Sequence, residues 1–211
     1  MTLVQYFKRF KTNTIHIIGP FFDGETLPSE PLIFIDRGAE YRKSSEGFSV
    51  GDGDSTDRKL DLLLDQKKDF SDLAFVLQSI PKSFKKIILL GFLGHRKDHE
   101  LMNFAEVHSF LKKKKGVEVR FDRSVVAFPR GKWSIEVHGV FSLFSFESVK
   151  LKLTGNCDYK IDGKKKFQAL SSHGLSNHGQ GEIKISCDRP VFVFLNYVRK
   201  TDSSPFSGLV L

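Results

Sequence analysis

The most informative part of the sequence is residues 86–99, which read Lys86-Ile87-Ile88-Leu89-Leu90-Gly91-Phe92-Leu93-Gly94-His95-Arg96-Lys97-Asp98-His99. An apolar run opens this segment and predicts a buried strand, which a glycine loop follows directly. The apolar spacing after the loop predicts a helix over residues 98–115. Its inner face is expected to carry Leu101, Phe104, Ala105 and Leu111. A strand, a glycine loop and a helix in this order indicate an α/β fold with an anion site at the helix start, to which Arg96 adds a forked donor for phosphate.

Acidic residues follow two short strands further upstream. Residues 14–18, 32–35 and 48–50 are apolar runs that predict buried strands. The second ends at Asp36, and the third enters the loop Gly51-Asp52-Gly53-Asp54-Ser55-Thr56. Open α/β sheets bind ligands at the carboxyl ends of their strands, so both positions are candidates for a site. Such carboxylates can hold Mg²⁺ beside phosphates, although an ordinary surface turn and, for Asp36, a capped turn remain alternatives.

The segment between the acidic loop and the glycine loop adds further candidates. Residues 57–64 have a helical pattern, and Ser71 or Asp72 is a suitable N-cap for a helix over residues 73–80. Asp72 therefore has two interpretations, a helix cap or a carboxylate beside a metal ion or a cationic ring. On the later helix, His99 and Asn103 stand four residues apart and form either an exposed polar face or a wall of the site.

The pattern of the sequence changes after residue 117. Six short alternating or β-rich runs follow, separated by glycine and proline turns, and no helical stripe remains. This pattern predicts an antiparallel β-sandwich. We therefore expect a mostly parallel, three-layer α/β domain over residues 1–121 and a β-sandwich domain over residues 122–211.

Composition limits the class of protein. The 211 residues carry a formal net charge of +8, which suits an anionic partner such as nucleic acid or a nucleoside triphosphate. The sequence has no RNA-binding aromatic signature and no zinc-finger spacing, which disfavours nucleic acid. Cys157 and Cys187 are expected to be free thiols. No apolar run is long enough for a bilayer and no signal-peptide core follows the N-terminus, so a soluble, cytoplasmic protein without a membrane partner is expected.

Five short motifs follow one another along the chain. They are Asp36-Arg37-Gly38-Ala39, Gly51-Asp52-Gly53-Asp54-Ser55, Asp69-Phe70-Ser71-Asp72-Leu73, the glycine loop of residues 91–99, and Gly174-Leu175-Ser176-Asn177. Their order resembles that of thiamine pyrophosphokinase, also called thiamin diphosphokinase, over nearly the whole chain. The order is far more specific than any single motif.

The resemblance implies an Mg²⁺-dependent enzyme that transfers a pyrophosphoryl group from ATP to the hydroxyl of thiamine, giving thiamine diphosphate and AMP. It implies that residues 1–121 bind the nucleotide and that residues 122–211 bind thiamine. It also implies a homodimer in which the α/β half of one subunit and the β-sandwich of the other share an active site. A magnesium triphosphate needs several acids, a guanidinium and little covalent help, which agrees with the residues above.

The resemblance also assigns roles to individual positions. The implied metal ligands are Asp52, Asp54 and Asp98. The implied catalytic residues are Asp54, Asp72, Arg96 and Asp98. The implied nucleotide-binding residues are Asp36, Gly38, Arg96, His99 and Asn103. The implied thiamine-binding residues are Asp69, Asp72, Ser176 and Asn177.

The sequence departs from the family pattern near the proposed site. Arg37 and Glu40 replace a glycine and an amide, Gly53 replaces a phenylalanine, and His95 enters the second glycine loop. A non-catalytic or altered-specificity relative that binds nucleotide or thiamine is therefore the first alternative. A basic nucleic-acid-binding protein, indicated by charge alone, is the second.

Overall fold

The computed structural model describes residues 1–24, 26–43, 46–94 and 96–196. His95 and residues 197–211 of the predicted second domain lie outside these ranges. Within them the chain forms one twelve-stranded mixed sheet and three α-helices. The helices are α1 (Leu3–Phe7), α2 (Asp72–Ser79) and α3 (Lys97–Lys113). None of the helices in this part of the chain has the length and apolar content that crossing a bilayer requires.

The strands of the first half of the chain run parallel to one another. They are β1 (Thr14–Ile18), β2 (Leu32–Ile35), β3 (Phe48–Gly51), β4 (Leu62–Leu63), β5 (Lys86–Leu90) and β6 (Glu118–Phe121). In space they follow the order β6-β5-β1-β2-β3-β4. All four residues of β2 are buried, as is typical of a parallel strand covered on both faces. Ile35 pairs with Val50, so β2 and β3 end side by side at one edge of the sheet.

The strands of the second half are antiparallel. They are β7 (Val125–Phe128), β8 (Gly131–Phe144), β9 (Leu151–Cys157), β10 (Ile161–Asp162), β11 (Asn177–Cys187) and β12 (Val191–Leu195). β8 and β11 pair from Asn177 opposite Phe141 to Cys187 opposite Gly131. Buried and more exposed residues alternate along β11, so one of its faces covers a core. β12 lies between β7 and β8 and pairs with both.

Two apolar cores meet at β12. Phe192 belongs to the core beneath the helices, whereas Val191 and Val193 belong to the core between the antiparallel strands. Helix α3 contributes Phe104, whose ring centroid lies 4.8 Å from that of Phe121 and 5.8 Å from that of Phe192. The same helix therefore covers strands from both halves of the chain.

The predicted fold class is confirmed in its coarse form, a mixed α/β sheet with few helices. Pairing changes from parallel to antiparallel between β6 and β7, beside the predicted boundary after residue 121. The hydrogen-bonded ladder nevertheless continues through this point without a break. The division into an α/β domain and a β-sandwich domain stays a prediction.

Two local predictions are wrong. Residues 57–64 contain the short strand β4 instead of a helix. The carboxylate of Asp61 accepts the Ser49 N–H at 2.9 Å and pairs with Arg42 at 2.6 Å, which holds this segment against the edge of β3. Leu101 is 56% exposed instead of facing the core. The buried stripe of α3 is formed by Val107, His108, Phe110 and Leu111.

Candidate active site

The first carboxylate of the site stands where β2 ends. Asp36 opens the 3-10 helix Asp36–Tyr41 and has a left-handed backbone φ of 49°. Among residues other than glycine, aspartate and asparagine tolerate this conformation best. The Asp36 side chain reaches over the end of β3, where a Cβ on Gly51 would lie 2.2 Å from Asp36 Oδ1. A glycine at position 51 is therefore what allows the Asp36 carboxylate to occupy this place.

Three carboxylates converge at this edge of the sheet. Asp52 follows the end of β3, and Asp72 is the first residue of α2. One carboxylate oxygen from each of Asp36, Asp52 and Asp72 lies within 4.8 Å of the other two. Ser71 is the N-cap of α2 and accepts the Ala74 N–H at 3.0 Å. Ser71 thus caps the helix, and the Asp72 carboxylate lies near those of Asp36 and Asp52 instead. We call Asp36, Asp52 and Asp72 the acid cluster.

A lysine that sequence reasoning missed lies among these acids. Lys68 Nζ is 2.7 Å from Asp52 Oδ2 and 3.0 Å from Asp72 Oδ1. The Lys68 side chain is 8% exposed and that of Asp72 is 6% exposed. The spacing of four residues between Lys68 and Asp72 is the signal that could have found the pair. This signal is weak, because Lys68 precedes the predicted helix, where such spacing has no fixed geometry.

Burial and charge perturb the ionisation of the acid cluster. Burial, followed by the neighbouring Asp72, Asp52 and Asp54, raises the pKa of Asp36 to about 8. The hydrogen bond from Lys68 lowers the pKa of Asp52. Burial disfavours the charged form of Lys68, but its contacts with Asp52 and Asp72 outweigh burial and raise the pKa of the ammonium. These shifts favour the protonated form of Asp36 beside a charged pair of Lys68 and Asp52.

The donor set suits a hard divalent cation. Asp36 Oδ1 and Asp72 Oδ1 are buried and have no aligned hydrogen bond among the described residues, although Asp72 Oδ1 touches the Lys68 ammonium. A bound cation would give both of these oxygens a strong partner. Mg²⁺ prefers carboxylate oxygens of this kind. Asp36, Asp52 and Asp72 are therefore the residues that could hold it.

Three other predicted acids stand apart from the cluster. Asp54 is exposed, and its N–H donates to Asp52 Oδ1 at 3.2 Å. Asp98 lies at the start of α3 and pairs with Arg96 at 2.5 Å, each side chain being 62% exposed. Asp69 is exposed just before Ser71. In the described part of the chain, none of the three is among the carboxylates within 4.8 Å of one another, and their roles in binding and catalysis stay predictions.

The glycine loop before α3 is partly occupied by the protein itself. Glu100 accepts the Gly94 N–H at 3.2 Å, so one backbone donor of the predicted anion site already has a partner. Asn103 donates from Nδ2 to the Phe92 carbonyl at 2.8 Å and ties the helix to the loop. His99 is exposed. Of the predicted nucleotide-binding residues here, Asn103 thus supports the loop, and contact of Arg96 and His99 with a nucleotide stays a prediction.

Gly38 has a packing function in this structure. A Cβ on Gly38 would lie 2.3 Å from the Ile18 carbonyl oxygen. Any side chain at this position would push the 3-10 helix away from the end of β1. Gly38 therefore sets the position of the segment that begins with Asp36, and a direct contact with a nucleotide stays a prediction.

The departures from the family pattern lie on the same surface. Glu40 pairs with Arg58 at 3.2 Å and hydrogen-bonds to the Thr56 hydroxyl, which fastens the end of the acidic loop. Gly53 has a φ of 76°, a conformation that favours glycine over the phenylalanine of the family pattern. Arg37 is exposed. Glu40 and Gly53 thus shape the loop that carries Asp52 and leave the acid cluster itself intact.

Two of the four residues predicted to bind thiamine, Ser176 and Asn177, lie in the second half of the chain and differ in their surroundings. Asn177 is buried, and its Nδ2 donates to the Tyr159 carbonyl at 2.7 Å. Its Oδ1 accepts the backbone N–H groups of Tyr159 and His178 at 3.0 and 2.9 Å. Ser176 is exposed, has a φ of 57°, and donates its N–H to Ser142 Oγ at 3.1 Å. Asn177 therefore holds the turn after β9, and Ser176 is the one with a side chain open to a ligand.

A single chain places Ser176 far along the sheet from the acid cluster. In the sheet order, β11 is separated from β3 by β8, β12, β7, β6, β5, β1 and β2. Eight steps of roughly 4.8 Å correspond to about 38 Å measured along the sheet. The residues predicted to bind thiamine therefore fall into two groups at distant positions of the strand order.

Solved structures are similar to this chain over most of its length. Thiamine pyrophosphokinase from Bacillus subtilis is 20% identical with a TM-score of 0.66, covering 88% of this chain and 100% of that one. Thiamin pyrophosphokinase from Candida albicans is 13% identical with a TM-score of 0.63, covering 90% and 89%. The yeast enzyme is 12% identical with a TM-score of 0.60, covering 92% and 89%. No protein-family model and no curated protein sequence matches the chain. The resemblance seen in the motifs is thus matched in three dimensions, and the chain has the fold of the thiamine pyrophosphokinases.

Proposed function

We propose that this protein is an Mg²⁺-dependent thiamine pyrophosphokinase, which converts ATP and thiamine into AMP and thiamine diphosphate. The observation that carries the proposal is the convergence of Asp36, Asp52 and Asp72 at the carboxyl edge of the parallel strands. That edge is where α/β sheets bind ligands. The shared fold adds support, because the similar solved structures are described as thiamine pyrophosphokinases.

The acid cluster would hold the metal ion through Asp36, Asp52 and Asp72. When bound, Mg²⁺ would offset the negative charge of the polyphosphate during transfer. Arg96 adds a guanidinium at the start of α3, and its pairing with exposed Asp98 leaves it open to exchange that partner for a phosphate. Asp36 would give up its proton as the metal binds, since a metal ligand must be deprotonated.

The transfer step requires little covalent chemistry from the protein. The hydroxyl oxygen of thiamine attacks the β-phosphorus of ATP, and the bond from that phosphorus to the oxygen shared with the α-phosphorus breaks. The pyrophosphoryl group is now on thiamine, and AMP leaves. We assign Asp54 as the acceptor of the hydroxyl proton, because it is exposed on the acidic loop. Partial burial and the neighbouring Asp52 raise the pKa of Asp54, which favours proton uptake.

The proposal includes a homodimer with a shared site. If Ser176 and Asp72 contact the same thiamine molecule, the distance between them along the sheet favours a second subunit as the source of one of them. A cationic ring also needs both acids and apolar walls, and the acidic loop alone offers only the acids. Mixing an Asp52→Asn subunit with a Ser176→Ala subunit tests this arrangement. Recovery of activity on subunit exchange supports a shared site, and its absence from exchanging, individually impaired subunits contradicts it.

The direct test of the function is an incubation of the protein with ATP, Mg²⁺ and thiamine, followed by ³¹P NMR. Equal amounts of AMP and thiamine diphosphate support the proposal. ADP as the product, or no product at all, contradicts it. If no product forms, calorimetry measures whether the protein still binds thiamine and nucleotide. Binding without turnover favours the alternative that Arg37 and Glu40 suggested, a non-catalytic relative. Omission of Mg²⁺ and the Asp52→Asn variant serve as controls.

A further inference from the structure

The ammonium of Lys68 contacts two of the three carboxylates that would bind a divalent cation. Lys68 Nζ lies within 3.0 Å of Asp72 Oδ1 and 2.7 Å of Asp52 Oδ2. Asp72 Oδ1 is also one of three buried carboxylate oxygens without an aligned hydrogen bond among the described residues. A metal ion bound to Asp52 and Asp72 would share those carboxylates with a second cation at close range. Repulsion between the two cations would be strong in a site from which water is largely excluded.

The lysine is the partner that can move. Asp52 is held from two further directions, since its Oδ1 accepts the Asp54 N–H at 3.2 Å and its carbonyl accepts Gln66 Nε2 at 3.3 Å. Asp72 is fixed by the first turn of α2. Lys68 instead precedes the helix and carries its charge on a flexible four-carbon chain. Entry of a metal ion would therefore displace the ammonium and leave the carboxylates in place.

We propose that Lys68 is a built-in counter-ion that competes with the divalent cation for Asp52 and Asp72, so that the site binds the cation with its nucleotide in preference to the cation alone. A free cation would deprive the ammonium of both carboxylate partners, which opposes binding of the cation alone. A nucleoside triphosphate supplies the anionic oxygens that the ammonium then needs. This inference rests on the metal site of the proposed function.

The test compares Lys68→Met with Lys67→Met, a neighbouring lysine with an exposed side chain. Binding of Mn²⁺ alone is measured by electron paramagnetic resonance, and binding of Mn²⁺ with α,β-methylene-ATP by calorimetry. Lys68→Met should bind free Mn²⁺ at least about tenfold more tightly than the unaltered protein, corresponding to about 1.4 kcal/mol. With the nucleotide analogue this advantage should disappear or reverse. Lys67→Met should match the unaltered protein. Equal or weaker binding of free Mn²⁺ by Lys68→Met, or no Mn²⁺ binding by any of the three proteins, overturns the proposal.

A second measurement uses the unaltered protein and does not depend on whether the variant folds. Acylation of lysines by a soluble N-hydroxysuccinimide ester is followed at Lys68 by peptide mass spectrometry. Reactivity at Lys68 should be low without metal, rise several-fold with Mn²⁺ alone, and fall again when α,β-methylene-ATP is added. Unchanged reactivity on addition of saturating Mn²⁺ contradicts displacement of the ammonium.

Neither measurement requires turnover, so the two proposals can fail separately. A protein that forms no thiamine diphosphate but shows the metal-dependent behaviour of Lys68 retains this inference. A protein that forms thiamine diphosphate while Lys68→Met and the unaltered protein bind free Mn²⁺ alike retains the function and loses the inference. A purely structural role of Lys68 predicts lower stability in Lys68→Met without any gain in metal affinity.

Discussion

Two ion pairs of this protein have similar distances and opposite surroundings. Lys68 lies 2.7 Å from Asp52 with only 8% of its side chain exposed, whereas Arg96 lies 2.5 Å from Asp98 with 62% exposed. Water and salt screen the exposed pair, so it contributes little to stability despite its shorter distance. In the buried pair, loss of one partner leaves the other charged and poorly solvated. Burial, more than distance, therefore decides which pair the fold depends on.

Replacing Asp72 by Asn should produce the largest effect. Lys68 would keep only one of its two carboxylates and the metal site would lose one ligand. We expect turnover to fall at least about a hundredfold, and the free energy of unfolding to fall by about 3 kcal/mol. Rates of AMP formation and urea unfolding measure the two quantities. Asp57→Asn, a change at an exposed acid after the acidic loop, is the matched control. If both variants behave alike, Asp72 has no special place in the site.

A methyl group at position 51 tests the same cluster without removing a charge. Because the Cβ of Gly51→Ala would lie 2.2 Å from Asp36 Oδ1, the carboxylate must move. We expect a loss of about 1–3 kcal/mol in unfolding free energy and weaker Mn²⁺ binding. Denaturant titration and metal titration check these effects. Adding Asp36→Ala should restore part of the lost stability, since it removes the atom in conflict; a double variant less stable than both single variants would contradict the steric explanation.

The pKa of Asp36 is about 8 in the folded protein. It predicts that the free energy of unfolding depends on pH with the opposite sign to that expected for an ordinary salt-bridged acid. The folded state binds the Asp36 proton more tightly than the unfolded state. The stabilisation is therefore complete below about pH 4 and is lost as the pH rises to about 8. Without metal, we expect a loss of at most about 1 kcal/mol per pH unit between pH 5 and 8, with allowance for partial exposure. Urea unfolding in EDTA should show this slope in the unaltered protein and a shallower one in Asp36→Asn.

The exposed pair should give the smallest effect on stability. Arg96→Met and Asp98→Asn should leave the melting temperature at physiological ionic strength unchanged within error, because solvent screens both charges. Scanning calorimetry at low and moderate salt is the measurement. A clear loss of stability in either variant would show that the pair is more constrained than its exposure indicates. Any loss of ATP turnover in these stable variants would then report on a role in ligand binding or catalysis.

Secondary structure that depends on local sequence patterns was predicted well. Strands β1, β2, β3 and β5 and helices α2 and α3 follow from apolar runs, caps and periodicity. Because β2 and β3 are parallel, it also followed that Asp36 and Asp52 would meet at one edge.

Features that depend on contacts between distant segments could not be predicted in the same way. The segment containing β4 has a helical pattern, but Asp61 binds Ser49 and Arg42 at the sheet edge, and these contacts outweigh local propensity. Lys68 belongs to no repeating pattern, and only the folded chain brings it to Asp52. The side chain of Asn177 has the groups needed to bind a ligand, but in the folded chain it hydrogen-bonds to the backbone carbonyl and N–H of Tyr159.

The position of β12 has a consequence for synthesis of the protein. This strand, Val191–Leu195, is the last in the described chain, yet it lies between β7 and β8 and pairs with both. During translation β7 and β8 leave the ribosome well before β12, each with an edge that nothing yet covers. Uncovered edges of this kind recruit other strands, including those of neighbouring nascent chains. A chain halted before Val191 would therefore be a substrate for chaperones and proteases, however complete the acid cluster near its N-terminus already is.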